Sequence, residues 1–171
     1  MSEVHISFDL ETLSLESNAA IIQIGATVVG TQSTYKIGID PRSAENLGGH
    51  VCVSTLEWWN KQDPALRKQV FSGIADAQFA LRDFFLWCND QAAGDVNNLY
   101  LWSKGADYDC VVLKNAYEMF MSYPFNWRNH RCVRTAMHLS PHPKPVPNTQ
   151  SHDSLADAIY QAQFIAHALK I

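Results

Sequence analysis

The chain has 171 residues, of which 47% are hydrophobic and 18% are charged, and its formal net charge is −4. These values are typical of a single folded domain, here spanning residues 1–171, and they exclude an intrinsically disordered chain. No apolar run approaches the roughly 20 residues that a membrane-spanning helix needs. Asp9 and Glu11 also lie where the apolar region of a signal peptide would have to be. Together with four widely spaced cysteines that form no CxxC pair, these features predict a cytoplasmic protein without membrane contact.

The net negative charge is unusual for a nucleic-acid-binding protein, but the charges are unevenly distributed. Residues 1–99 contain twelve acidic and six basic residues, whereas residues 100–147 contain three acidic and six basic residues. Three arginines of the second region lie close together in the chain, at Arg128, Arg131 and Arg134. They form either an ordinary solvated loop or a rim that faces phosphate groups, and the sequence leaves both interpretations open.

Strands dominate the predicted elements at the start of the chain. Three apolar stretches predict strands: Val4–Leu10, Ala20–Gly30 and Thr34–Asp40. The link at Leu13–Asn18 is short enough for antiparallel pairing of the first two. Proline, serine, asparagine and glycine residues predict a loop over Pro41–Gly49. Ser54 or Thr55 is then expected to cap a short helix that contains Trp58 and Trp59, of which a helix can bury only one fully.

Helices and strands alternate in the rest of the chain. Helices are predicted from Asp63-Pro64, from Ile74 to about Ala93 before Gly94, from Tyr108 to Met121, and from Ser151 or Asp153 to about Ala168. Strands are predicted at Asn98–Trp102 and His130–Val133, and an extended proline-rich loop at Ser140–Gln150. The order of elements predicts an α/β fold. Its mixed five-stranded sheet has three antiparallel strands followed by parallel strands, with helices on both faces.

Two carboxylates stand two residues apart at the end of the first predicted strand. Side chains alternate along a strand, so Asp9 and Glu11 are expected on the same face. Two anions this close repel each other unless a cation or a proton lies between them. Because carboxylate oxygens are preferred ligands of hard divalent cations, this pair predicts one half of a metal site.

Further acidic residues and a histidine follow near the starts of two later helices. Asp109 comes just after the strand that ends near Trp102, and Gly105 permits a tight turn between them. His152 is expected in the first turn of the last helix, with Asp157 more than one turn deeper. Four convergent carboxylates suit two Mg²⁺ or Mn²⁺ ions, roughly 3.5–4 Å apart, that clamp the oxygens of a phosphodiester. His152 is then available to accept a proton from the attacking water.

These residues resemble the DEDD exonucleases in their histidine branch. The matching motifs are Asp9-Leu10-Glu11-Thr12, Gly105-Ala106-Asp107-Tyr108-Asp109, and His152 with Asp157 at the His-x4-Asp spacing, and the resemblance spans residues 4 to about 169. Leu56-Glu57-Trp58-Trp59-Asn60 and Trp102-Ser103-Lys104-Gly105 look closest to a subfamily that includes a T-even phage exonuclease and small bacterial exoribonucleases.

The resemblance implies a ribonuclease H-like fold and a 3′→5′ exonuclease that releases nucleoside 5′-monophosphates from single-stranded DNA or RNA. It implies that Asp9, Glu11 and Asp157 bind the tighter of two metal ions, and that Asp109 holds the second, which Asp9 bridges. Backbone near Leu10 and Thr12 is expected to touch the terminal nucleotide. The candidate substrate contacts are Leu10, Thr12, Trp58, Trp59, Tyr108, Arg128 and Arg131. Several members of the family dimerise, so a homodimer is among the expected assemblies.

Three questions stay open in the sequence. One alternative is a catalytically silent module on the same fold that binds nucleic acid or another protein. Another is an endonuclease or integrase, although these generally lack the His-x4-Asp pair. Asp107 competes with Asp109 for the metal site. If the helix begins near Tyr108, however, Asp107 is expected at its cap, where an acidic side chain is well explained by the free backbone N–H groups.

Overall fold

A computed structural model of the protein describes residues 3–140 and 148–171, so most of the predicted loop at Ser140–Gln150 lies outside the described residues. The sheet has five strands: Val4–Thr12 (β1), Ile21–Val28 (β2), Thr34–Gly38 (β3), Leu99–Ser103 (β4) and His130–Cys132 (β5). The α-helices in these ranges are Pro41–Leu47 (α1), Val53–Asn60 (α2), Pro64–Val70 (α3), Ala77–Gln91 (α4), Asp109–Glu118 (α5), Val133–Leu139 (α6) and Ser154–Leu169 (α7). Short 3₁₀ helices at Val96–Asn98 and Trp127–Asn129 precede β4 and β5.

The strands lie in the order β3-β2-β1-β4-β5. β2 pairs antiparallel with both β1 and β3, whereas β4 pairs in parallel with both β1 and β5. The predicted mixed sheet of three antiparallel strands followed by parallel ones is therefore confirmed. β1 lies at its centre, so its side chains are covered on both faces.

Alternate residues of β1 face two different cores. Ile6, Phe8 and Leu10 belong to the larger core, together with residues of α4 and α5 such as Phe84 and Tyr117. The opposite face is covered by α6 and α7, where Trp102, Val133, Phe164 and Ile165 form a second apolar cluster. Helices on both faces of the sheet, as predicted, leave the odd-numbered side chains of β1 facing α7.

Several element predictions need correction. The predicted loop at Pro41–Gly49 contains helix α1, because Asp40 caps the N-terminus, Pro41 occupies the first turn and Gly48 ends the helix in a left-handed conformation. Helix α2 has Cys52 at its N-cap position, not Ser54 or Thr55. Helix α6 was not predicted at all. It follows β5 directly, so no turn residue separates the two elements in the sequence.

The other elements match their predictions within a few residues. Asp63 caps α3 and Asp153 caps α7, each through its side-chain carboxylate. Trp59 is 2% exposed and Trp58 is 40% exposed, so one of the adjacent tryptophans belongs to the core, as expected. Within residues 3–140 and 148–171, none of the helices combines the length and the apolar character needed to cross a bilayer.

The start of α7 is seated directly on β2. Gly25 of β2 lies opposite Asp9 in the β1–β2 register, so both residues face α7. A Cβ atom on Gly25 would lie 2.2 Å from the backbone nitrogen of Leu155 and from the carbonyl carbon of Ser154. The first turn of α7 can therefore approach the sheet beside Asp9 only because residue 25 has no side chain.

Substitution of Gly25 by alanine is expected to destabilise the protein strongly. The added methyl group collides with backbone, which cannot rotate away as a side chain can, so we expect a loss of more than about 3 kcal/mol in the free energy of unfolding. Gly30→Ala is the control, since a Cβ there meets open space and carries only the conformational cost of a positive φ, about 1–2 kcal/mol. Urea unfolding of both variants measures the difference, and equal losses would contradict the close approach.

Candidate active site

The central strand β1 presents Asp9 and Glu11 on the face that α7 covers. Asp157, in the first turn of α7, reaches the same place. One carboxylate oxygen from each of Asp9, Glu11 and Asp157 lies within 4.8 Å of the other two. The structure therefore brings together three of the carboxylates that the sequence nominated, although they are separated by almost the whole length of the chain.

Asp109 is the fourth carboxylate, and the turn between β4 and α5 determines its position. Gly105 adopts a φ of +130°, a conformation that residues with a side chain rarely take. Asp109 is the first residue of α5 and is 7% exposed, and it interacts electrostatically with both Asp9 and Glu11. Asp107 is exposed and is not the N-cap residue, which is Tyr108. The expectation that Asp107 caps the helix is therefore wrong, because α5 begins one residue later than that assignment requires.

His152 was expected in the first turn of α7, but it lies two residues before Ser154, where the helix begins. That expectation is therefore wrong. His152 has a φ of 68°, in the left-handed region. In this conformation its backbone N–H donates to Oδ2 of Asp157 at 2.8 Å, and its imidazole packs edge-on against the Trp58 indole at 4.8 Å between ring centres. The same carboxylate accepts a second hydrogen bond at Oδ1 from the amide of Asn148, at 2.7 Å. The segment before the helix thus holds both the histidine and Asp157 in place.

Polar contacts across the sheet anchor the start of α7. Lys36 lies opposite Gly25 on β3, and its ammonium group forms an ion pair with the buried carboxylate of Asp153. Gln69 also donates to this carboxylate, which in addition caps the N–H of Ala156. On β2, Gln23 accepts hydrogen bonds from the backbone N–H and the hydroxyl of Ser154. These contacts fix the first turn of α7, and with it Asp157, relative to β1.

Burial and mutual repulsion make the ionised carboxylates unfavourable. Burial raises the pKa of Asp9 well above its usual value, and the neighbouring Asp109, Glu11 and Asp157 raise it further. Burial, followed by repulsion from Asp157, raises the pKa of Glu11 to about 8. Burial likewise raises the pKa of Asp109 to about 7, although a hydrogen bond from Ser103 opposes the shift.

The donor set fits a divalent cation. All four groups are carboxylates, which are the hard oxygen ligands that Mg²⁺ and Mn²⁺ prefer. A cation among them would offset the repulsion between these carboxylates and would favour their ionised forms. The spacing of the oxygens of Asp9, Glu11 and Asp157 allows all three to reach a common point.

A cavity of about 380 Å³ opens beside the carboxylates. Its apolar wall consists of Leu10, Leu15, Trp58 and Trp59, and its polar groups come from Glu11, Thr12, Ser54 and Thr55. A concave apolar site with a few polar groups is typical of small-ligand binding. Four of the predicted substrate contacts, at Leu10, Thr12, Trp58 and Trp59, therefore line one cavity.

Tyr108 does not line this cavity, but it contacts residues in or next to its wall at the end of β1. Its hydroxyl donates to the carbonyl oxygen of Ser14 at 2.6 Å and lies 2.8 Å from the hydroxyl oxygen of Thr12. Trp59 donates from its indole nitrogen to the carbonyl oxygen of Thr12 at 3.0 Å. The end of β1 is thus held by two aromatic side chains from different helical segments.

The arginines differ in their surroundings. Arg131 stacks on Tyr100 at 4.8 Å, and Arg128 stacks on Trp127 at 5.1 Å. Arg134, in α6, is the arginine that lies beside the turn at Gly105 and interacts electrostatically with Asp109. The predicted contacts of Arg128 and Arg131 with phosphate stay predictions.

Sequence reasoning missed several residues that hold the carboxylates. Gln161 donates to Oδ1 of Asp9 at 2.8 Å, and its position four residues after Asp157 on α7 is a signal that the sequence contains. Lys36 and Gln69 carry no such local signal. Lys36 reaches Asp153 from β3 and Gln69 reaches it from α3, and only the folded structure brings these elements together with the start of α7.

The metal-free protein is expected to lose stability as the pH rises from 6.5 to 8.5. Glu11 and Asp109 have raised pKa values in the folded state, so over this range the folded protein binds more protons than the unfolded chain, and unfolding becomes easier at higher pH. The half-buried His5 and His130, whose pKa values are lowered, act in the opposite sense, but this contribution ends about one pH unit above their usual pKa of 6.5 and is smaller than that of the carboxylates. We expect Tm in EDTA to fall by roughly 5 °C across this range. Glu11→Gln should flatten the slope, and a Tm that rises with pH would contradict the assignment.

Comparisons with known proteins concern the fold and the family of the chain. No match was found among curated proteins. The crystal structure of cell-death related nuclease 4 (CRN-4) superposes with a TM-score of 0.56 at 10% sequence identity. The match covers 99% of this chain and 64% of that one, so the chain spans less than two thirds of its length. At this identity the likeness shows the fold alone, the ribonuclease H-like α/β fold. The family model of the 3′-5′ exoribonuclease Rv2179c-like domain matches residues 4–169, and the chain therefore belongs to that family.

Proposed function

We propose that the protein is a metal-dependent 3′→5′ exoribonuclease of the DEDD histidine branch, which releases nucleoside 5′-monophosphates from single-stranded RNA. The observation that carries the proposal is the convergence of Asp9, Glu11 and Asp157, with ligand atoms within 4.8 Å of one another, beside a nucleotide-sized cavity. Membership in a family described as exoribonucleases favours RNA over DNA as the substrate. A dimer is not part of the proposal, because neither the family description nor the structural match concerns assembly.

The carboxylates provide the ligands for two cations. Asp9, Glu11 and Asp157 would hold one Mg²⁺ or Mn²⁺ ion, and Asp109 would hold a second together with Asp9. The ions would neutralise charge that develops on the attacking and leaving oxygens of the phosphodiester. Burial, followed by repulsion from Asp157, raises the pKa of Glu11 to about 8 in the metal-free site. This supports the assignment, since a bound cation would relieve the repulsion and stabilise the ionised carboxylate.

His152 is proposed to accept the proton of the attacking water. Its imidazole packs against Trp58, which lines the cavity, and its backbone N–H donates to Asp157, so the residue adjoins both the cavity wall and a proposed metal ligand. Imidazole is the side chain best suited to accept and release a proton near neutral pH. The left-handed backbone of His152 costs about 1–2 kcal/mol, and such strain is characteristic of residues placed for function.

The cavity beside the carboxylates is proposed to receive the 3′-terminal nucleotide. Leu10 and Trp58 offer apolar surface for a base, and Trp58 is 40% exposed, so its indole is accessible. Thr12 offers a hydroxyl at the cavity wall, and Tyr108 holds that hydroxyl in position. Arg128 and Arg131 are proposed to contact phosphates further along the strand, which would make binding weaken as salt increases.

The test is hydrolysis of 5′-labelled RNA and DNA oligomers by the wild type and two variants. With Mg²⁺ or Mn²⁺ the wild type should shorten RNA stepwise from its 3′ end to mononucleotides, and EDTA should abolish the reaction. Asp109→Asn, which removes a carboxylate from the buried cluster, should lower activity by at least about 10²-fold. Asp107→Asn is the matched control two residues away, and it should keep most of the activity because that side chain is exposed.

Other products would identify the alternatives. Internal fragments would indicate an endonuclease, and binding without cleavage in the presence of either ion would indicate a silent module. Degradation of an oligomer with a blocked 3′ end at the rate of the free oligomer would contradict 3′→5′ polarity. A larger loss in Asp107→Asn than in Asp109→Asn would reassign the metal ligand.

Replacement of His152 by alanine tests the general base. Loss of a positioned base is expected to lower kcat by about 10²–10⁴-fold. Binding of Mn²⁺ should be retained, because the contact with Asp157 comes from the backbone N–H, which alanine also has. Single-turnover cleavage and Mn²⁺ titration of the same preparation separate the two effects. An unchanged rate would show that His152 does not take the proton.

A further inference from the structure

Gln161 is a buried polar residue that forms a hydrogen bond with the carboxylate of Asp9. It lies on α7 one turn after Asp157, is 2% exposed, and donates a hydrogen bond from Nε2 to Oδ1 of Asp9 at 2.8 Å. Because residues four apart share a helix face, Asp157 and Gln161 both point toward β1. One residue is a proposed metal ligand, and the other touches a second proposed ligand.

Packing alone does not explain an amide at this position. The Oε1 atom of Gln161 is buried without a hydrogen-bond partner among the residues that the structure describes, as is the hydroxyl of Ser7 two residues before Asp9. A buried polar atom without a partner lowers stability. Methionine would fill a similar volume next to Phe164 and Ile165 without that cost. The benefit of glutamine must therefore come from its one satisfied group, the Nε2 donor.

That donor acts on the orientation of Asp9. A hydrogen bond to Oδ1 restricts rotation of the carboxylate and leaves the second oxygen, Oδ2, directed elsewhere. The amide is uncharged, so it fixes the carboxylate without competing with a cation for its negative charge, as a lysine or arginine would. Partners of this kind orient metal ligands in many proteins, and their loss weakens metal binding.

Asp157 is held in a comparable way, which supports the same interpretation. The amide of Asn148 donates to its Oδ1 and the backbone N–H of His152 donates to its Oδ2. All three donors are neutral. Two of the three clustered carboxylates are thus oriented by groups that add no positive charge to the site.

We propose that Gln161 is a positioning residue that orients the Asp9 carboxylate for divalent-cation binding. This inference rests on the proposed function, since it assumes that Asp9 is a metal ligand. It extends that function by assigning a role to a residue that contacts neither the cation nor the substrate. Its effect should therefore appear in metal affinity first and in turnover only through the metal.

The experiment compares Gln161→Met with Gln163→Met by calorimetric titration of the metal-free protein with Mn²⁺ alone. Gln163 lies on the same helix and is only partly buried, so the control carries the same chemical change outside the carboxylate cluster. We expect Gln161→Met to raise the Kd for Mn²⁺ by about 10–100-fold. Gln163→Met should leave it unchanged. At saturating Mn²⁺ the Gln161 variant should regain most of the wild-type kcat, which a residue of merely structural importance would not produce.

The outcomes separate this inference from the proposed function. If the wild type binds no Mn²⁺, the proposed metal site is wrong. If the wild type binds Mn²⁺ and Gln161→Met binds it equally well, the metal site stands and the role of Gln161 is wrong. Gln161→Asn keeps an amide but withdraws it by one methylene, so it decides the question if the methionine variant fails to fold. An unchanged Mn²⁺ affinity in a folded Gln161→Asn protein would likewise overturn the inference.

Discussion

Repulsion between buried carboxylates is the constraint on which the other features of the site depend. Asp9, Glu11 and Asp109 are largely removed from water, and burial raises the pKa of each. The folded chain must therefore hold these groups together by contacts that do not rely on their own charges. Neutral donors orient the carboxylates without adding charge to the site. Close backbone packing, such as that of Gly25 against the start of α7, meets the requirement directly, since it does not change when a carboxylate gains or loses a proton. A site built in this way keeps its geometry while its charge changes.

The sheet provides this geometry through one row of residues across three strands. Asp9, Gly25 and Lys36 lie side by side in β1, β2 and β3 and face the same helix. The three residues contribute differently, since Asp9 supplies a carboxylate, Gly25 admits the helix backbone, and Lys36 binds the helix N-cap through Asp153. Backbone pairing in the sheet therefore positions these three residues relative to one another. The contacts of Gly25 and Lys36 with the start of α7 then determine where Asp157 lies relative to Asp9.

The sequence predicted the parts of this arrangement that have local signals. Alternation along β1 placed Asp9 and Glu11 on one face, Gly105 marked the turn before Asp109, and the order of elements predicted the mixed sheet. Two kinds of feature were not predicted from the sequence. Helix α6 follows β5 without a break, so no turn residue marked its start. The contact of Lys36 with Asp153 joins residues far apart in the chain, and no local pattern contains such information. The position of His152 was missed by two residues because Asp153, the later of the two expected caps, begins the helix after the histidine.

Asp157 connects two roles that are usually assigned to separate residues. Its carboxylate is a proposed cation ligand, yet it also accepts the backbone N–H of His152 and the amide of Asn148. Electron density drawn from these oxygens by a cation weakens them as hydrogen-bond acceptors, so loading of the site and the hold on the segment at residues 148–152 are thermodynamically linked. The linkage is reciprocal, because a movement of that segment must change cation affinity. The cation and the backbone of His152 would thus share one carboxylate, and neither could be displaced without cost to the other.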